Sequence, residues 1–181
     1  MKSKILDLPV IRQSTTYTCN CTCLQAILCY YGIDQRENQL AKLMNVTFKN
    51  SDEVHPKKIM RAAAKFGLKT EYRKMSIADL RNYIDKGIPI IVNFQAWSPA
   101  ANPKYGYGQD KNGHYAVVIG YNTKNLIFSD PASFYKTCLP YGEFATRWHD
   151  GDTTDSDYSN MGIIIYGKTP MYNRRLIKKT E

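Results

Sequence analysis

Histidine is scarce in this chain: its 181 residues hold three, His55, His114 and His149. A reaction that needs an imidazole base must use one of them. Cysteine is present but odd in number. Of the five, Cys19, Cys21, Cys23 and Cys29 crowd into one stretch and Cys138 stands far away. That set is a poor disulfide framework and fits reduced thiols in a cytosol better. Nowhere does an apolar run approach the ~20 residues a membrane span requires. From Met1 to Ile11 there are lysines, but no continuous apolar stretch and no small-residue cleavage site, so no Sec signal peptide is read there. The expectation is a cytoplasmic protein, or one exported by a route that needs no such signal. Internal repeats, low-complexity tracts and long linkers are lacking too, and one domain over residues 1–181 is expected.

Acidic residues are outnumbered. The formal net charge is +9, from 25 Lys and Arg against 16 Asp and Glu. The basic residues are spread out, apart from a short tail from about residue 170 with Arg174, Arg175, Lys178 and Lys179. Such a tail permits weak contact with an anionic surface. No helix-turn-helix, zinc-finger or RNA-binding aromatic signature accompanies it, so no specific nucleic-acid partner is expected. The run Cys-Asn-Cys-Thr-Cys from Cys19 to Cys23 offers thiols at alternate positions. Zinc sites match one Cys-x₂₋₄-Cys pair with a second, and the second is missing. Neither a metal nor a cofactor is expected.

What is present divides into helices first and strands afterwards. Leu24, Ile27, Leu28 and Tyr31 recur at helical spacing, predicting a helix over Cys19–Tyr31 that Gly32 stops. Further helices are predicted at Glu37–Met44, Pro56–Phe66 and Ser76–Lys86, the last with Ser76 as N-cap. Asp7 to Arg12 reads as a short strand or an extended lead-in, and Lys69 to Arg73 as a strand. Beyond Gly87 the period changes. Ile88–Phe94 is an apolar, β-branched strand, while Tyr115–Tyr121 and Leu126–Ser129 form a hairpin around Asn122 to Asn125. A strand at Phe134–Leu139, a short helix at Tyr141–Arg147 and a final strand at Met161–Gly167 follow. This order predicts an α+β fold, its N-terminal helices packed on a mostly antiparallel sheet. The long segment from Trp97 to Gly113, rich in Gly, Pro, Asn and Tyr, precedes His114 and reads as a functional loop. Within it Trp97, Tyr105 and Tyr107 either line a substrate cleft or pin the loop to the body.

A thiol becomes nucleophilic when its anion is stabilised, commonly by a helix N-terminus and a neighbouring imidazole. Cys19 stands at the predicted start of a helix, where unpaired N–H groups favour negative charge. His114 opens the strand His-Tyr-Ala-Val-Val-Ile-Gly-Tyr, and Asp130 follows the return strand at its far end. In the predicted hairpin the two lie near one level, so the carboxylate can fix and charge-stabilise the imidazole. His55 and His149, among polar neighbours, are expected to be exposed bystanders.

These residues carry a resemblance. Gln13, then Cys19 six residues on, then Leu-Gln-Ala-Ile-Leu-Cys-Tyr-Tyr-Gly from Leu24 to Gly32 is similar to the start of a C39-type peptidase domain. Gly-His-Tyr-Ala-Val-Val-Ile-Gly-Tyr from Gly113 to Tyr121, and Phe-Ser-Asp-Pro from Phe128 to Pro131, resemble its second half. Glu143 to Trp148 resembles a motif of stand-alone C39-like proteins, and the likeness spans roughly residues 9 to 150. It implies a papain-like fold and a Cys19–His114–Asp130 triad, with Gln13 stabilising the oxyanion beside the Cys19 N–H. Family members fused to transporters remove leader peptides after a Gly-Gly pair, so a peptide or protein substrate is implied. The family usually has Gly after the nucleophile, where this chain has Asn20. The expected activity is a thiol-dependent hydrolysis of a peptide or amide bond through an acyl-enzyme. The alternatives are a non-catalytic module on the same scaffold, or acyl transfer or deamidation by the same triad.

Overall fold

The structure is a computed structural model that describes residues 3–53, 55–96, 113–149, 159–177 and 179–180. Trp97, Tyr105 and Tyr107 lie outside the described residues. In chain order the elements are β1 (Lys4–Ile5), α1 (Cys19–Tyr30), α2 (Glu37–Met44), a 3₁₀ turn (Phe48–Glu53), α3 (Pro56–Lys65), β2 (Lys69–Lys74) and α4 (Ile77–Asp85). There follow β3 (Ile90–Gln95), β4 (Gly113–Tyr121), β5 (Asn125–Ser129), β6 (Lys136–Pro140), α5 (Tyr141–Arg147) and β7 (Met161–Tyr166). Six strands run in the order β2-β7-β3-β4-β5-β6, with β1 added beside β4. Every pairing among the described residues is antiparallel. The fold is α+β, as the helices-then-strands order predicts.

α1 is the axis of the molecule. It packs on α2, α3 and β4, and Asn20, Cys21, Thr22, Cys23, Leu24, Ala26, Ile27, Leu28 and Tyr30 are all buried. A helix covered all round belongs to the interior, which is more than the Leu24–Ile27–Leu28–Tyr31 stripe alone predicts. Gly32 ends it in the left-handed region at φ 77°, a conformation that L side chains resist. α4 starts with a reciprocal cap: Ser76 Oγ accepts the Asp79 N–H (3.1 Å) and Asp79 Oδ2 accepts the Ser76 N–H (2.8 Å). That cap satisfies two N–H groups that the helix leaves open.

The lead-in departs from a strand at Asp7–Arg12. The two-residue β1 lies earlier, with Ile5 opposite Gly120, and the chain beyond it forms no further strand before α1. Side chain and backbone fasten it: Ser129 Oγ donates to Pro9 O (3.2 Å) and the Gln13 N–H donates to Pro131 O (2.9 Å). A bulge shifts the β4–β5 register between Val118 and Gly120, leaving Val117 opposite Ser129. One step further along that register, Asp130 comes level with Ala116. His114 and Asp130 are therefore diagonal neighbours on one face, not directly opposed, and diagonal pairs remain within reach of long side chains.

Candidate active site

Cys19 is the first residue of α1 and is half-buried. The next side chain, Asn20, is buried and turns inward, where its Oδ1 accepts from Cys21 Sγ (3.1 Å). No left-handed angle occurs there, since the positive-φ residues other than glycine are Asn45 and Asn160 among those described. The position after Cys19 thus tolerates a side chain in this chain, and that side chain points away from the solvent face. The neighbouring thiols are poor rivals. Burial, then the Glu37 charge, pushes Cys21 up to about 12. Burial followed by the charges of Cys19 and Asp130 holds Cys23 well above the usual thiol range. Both stay protonated, and a protonated thiol is a weak nucleophile.

His114, 2% exposed, meets Asp130 from β4: its Nε2 is 2.8 Å from Asp130 Oδ1. Cys19 is the second neighbour that acts on the imidazole, its thiol and its charge both favouring the protonated ring. Burial on its own lowers the imidazole's proton affinity, but the bonds to Asp130 and Cys19 outweigh it and raise His114 to about 9. Burial likewise opposes ionisation of Asp130, yet its partners hold the carboxyl below the usual carboxylate range. Those partners are His114, the Ala132 N–H (2.9 Å) and the Thr137 hydroxyl (3.4 Å). Behind the imidazole an aromatic wall excludes water. Phe94 stands edge-on to His114 at 6.1 Å, stacks on Phe128 at 5.7 Å, and Phe144 closes the group against Trp148. In such surroundings each hydrogen bond is electrostatically stronger than in water.

Gln13 lies in the lead-in, its backbone N–H held on Pro131 O, one residue past Asp130. Its Nε2 donates to Thr15 O (2.7 Å), while Oε1 is buried without an acceptor role among the described residues. A carboxamide nitrogen carries two hydrogens, so one N–H remains free of the Thr15 bond. The Arg12 guanidinium beside it lies over the Phe134 ring at 4.3 Å, tying the lead-in to the turn after Asp130.

Two histidine expectations need correction. His149 is buried, not exposed, because Trp148 anchors its Nε1 on Met161 O (2.9 Å) and draws the chain after α5 against β7. His55 is the N-cap of α3, its Nδ1 accepting the Lys57 N–H (3.1 Å). Sequence reasoning also missed Glu37. It accepts from the Ser14 N–H, the Ser14 hydroxyl and the Thr18 hydroxyl, just ahead of Cys19. Among the described residues, no cluster of three or more metal-ligating side chains occurs.

A half-exposed thiol at a helix head, facing an imidazole on an antiparallel sheet, sits on the α+β scaffold of papain-like peptidase domains. The chain belongs to the Peptidase_C39 like family, whose model matches residues 5–154. Its fold is shared with a solved protein from Bacillus anthracis described as a C39-like peptidase. That likeness has a TM-score of 0.69 at 18% identity and covers 93% of this chain and 100% of that one. The peptidase domain of Streptococcus ComA, a bi-functional ABC transporter involved in quorum sensing, gives TM-score 0.63 at 23% identity over 87% of this chain and 96% of that one. A double glycine motif protease from an AMS/PCAT transporter, solved with its leader peptide, gives TM-score 0.64 at 19% identity over 90% and 93%. An uncharacterised protein of Methanothermobacter marburgensis is 29% identical over 133 residues, 73% of this chain and 78% of that protein. Family and fold support a cysteine peptidase-like function. Among the described residues no helix is long and apolar enough to cross a membrane.

Proposed function

We propose that this protein hydrolyses peptide bonds in a peptide or protein substrate, with Cys19 as nucleophile, His114 as acid and base, and Asp130 as the group that orients His114. The observation that carries the reading is the imidazole held between the Asp130 carboxylate and the Cys19 thiol. A protonated imidazole beside a thiol favours the sulfur anion. That sulfur attacks the carbonyl carbon, forming a C–S bond and a tetrahedral oxyanion. The oxyanion lies toward the Cys19 N–H and the free N–H of Gln13. Loss of one such donor costs about 10²–10³ in turnover. The C–N bond then breaks as His114 gives its proton to the departing amine. Water, deprotonated by His114, attacks the thioester and releases the carboxylic acid and the thiol. Asn20, where the family usually has Gly, is compatible with this reading because its side chain turns inward; the alternative on the same scaffold is a non-catalytic module.

The test is exposure of the protein to a complex mixture of peptides, with mass spectrometry for new termini. New termini are expected from the wild type and none from Cys19→Ala or His114→Ala. Cleavage that survives Cys19→Ala refutes the assignment.

A further inference from the structure

Thr18 occupies the N-cap of α1 without doing what an N-cap threonine ordinarily does. Such a hydroxyl accepts an N–H from the first helical turn, yet Thr18 makes no side-chain cap bond. Instead Thr18 Oγ1 is bonded to Glu37 and to Thr15 Oγ1, the latter at 2.7 Å. Glu37, the first residue of α2, also takes the Ser14 N–H on both carboxylate oxygens (3.0 and 3.2 Å) and the Ser14 hydroxyl (2.9 Å). One carboxylate therefore grips both ends of the segment between Gln13 and Cys19. The same segment holds the Gln13 amide through Thr15 O. At its far side the Gln13 N–H is fixed on Pro131, beside Asp130.

We propose that Glu37 is a positioning residue: its carboxylate holds residues 14–18 so that the Gln13 amide and the Cys19 N–H face the reacting carbonyl oxygen. The proposal rests on the hydrolase reading above. The Thr18 hydroxyl, turned to Glu37, makes no cap bond to the first turn of α1, so Glu37 sets the conformation of the residue that leads directly into Cys19. A carboxylate's negative charge disfavours a nearby thiolate, so the role proposed for Glu37 is to place donors and not to activate the sulfur.

That sign makes the inference testable. Two reactions of Cys19 are compared in a Cys138→Ser background: acylation by p-nitrophenyl acetate, which passes through an oxyanion, and alkylation by iodoacetamide, which does not. Glu37→Gln is expected to slow acylation about 10-fold, less than the loss of a whole donor, while alkylation is unchanged or faster. Thr18→Val should give the same split, and the double variant should be little worse than either single one, because both act through one contact. If Glu37→Gln is poorly folded, Thr18→Val carries the comparison alone. Equal falls in both rates, or no change in acylation, would overturn the proposal. Acylation that persists unchanged in Cys19→Ala removes the parent reading itself, whatever Glu37 does.

Discussion

At His114, burial and hydrogen bonding pull in opposite directions. Desolvation favours the neutral ring, but Asp130 and Cys19 win and His114 rises to about 9, while Asp130 is lowered. The signs fix a pH window. A histidine raised above its ordinary 6.5 adds stability that is complete below that value and lost as pH rises through about 9. A carboxylate lowered from 3.8 adds stability above that value and loses it as pH falls through its folded value. The stability gap between wild type and Asp130→Asn should therefore be widest between about pH 4 and 6.5, on the order of 1–3 kcal/mol. It should narrow on both sides, as urea unfolding at a series of pH values would show. A gap that does not vary with pH contradicts the ion pair. The nearness of His114 to Asp130 was legible in sequence because the hairpin pattern brings them near one level, and Cys19 was legible as the head of α1 from the helical period that follows it. Glu37 was not, since its partners Ser14 and Thr18 meet it only when α1 and α2 pack. His149 misled because its polar neighbours in sequence are not its neighbours in space.

Among the elements, the β4–β5 hairpin was the most readable. Asn122 sits where a turn residue belongs, and its Oδ1 accepts the N–H groups of Lys124 (2.9 Å) and Asn125 (2.8 Å), the usual reason for Asn at a turn. The bulge at Val118–Gly120 was not, because β4 is buried on both faces and has no period-two alternation for an extra residue to break. Of the two readings for Asp7–Arg12, the strand does not form, and the two-residue β1 at Lys4–Ile5 was not legible because two residues carry no alternation to read. Its docking depends on Gly120, where a Cβ would stand 2.6 Å from the Lys4 carbonyl oxygen. That clash is with backbone and cannot be relieved by a rotamer change. Gly120→Ala should lower stability by about 1–3 kcal/mol, read as a fall in unfolding midpoint, with β1 amides losing protection from hydrogen exchange. Full protection in the variant would contradict the packing described.

Over the whole molecule, the two ends of α1 are held differently. Cys19 lies at its head, while at its foot Tyr30 O accepts the Met171 and Tyr172 N–H groups (2.9 and 3.1 Å), tying the C-terminal segment to the central helix. The fold class followed from sequence because helical periods precede strand periods along the chain. The depth of α1 did not, since its polar Asn20 and Thr22 are buried by hydrogen bonds that only the folded chain supplies: Thr22 Oγ1 donates to Thr18 O (3.1 Å). The same architecture separates the cysteines. Cys21 and Cys23 are inside, Cys138 is exposed on β6, and Cys19 alone shares His114.

The competition among those thiols is the most direct test of the central claim. Native protein is treated with a limiting amount of iodoacetamide near pH 6, and the labelled cysteine is identified by peptide mapping. Cys19 is expected to be labelled ahead of the more exposed Cys138, by about 10-fold or more where an imidazole favours the thiolate, with the preference lost in His114→Ala. Label that goes first to Cys138, or a Cys19 preference that survives loss of His114, would contradict the account.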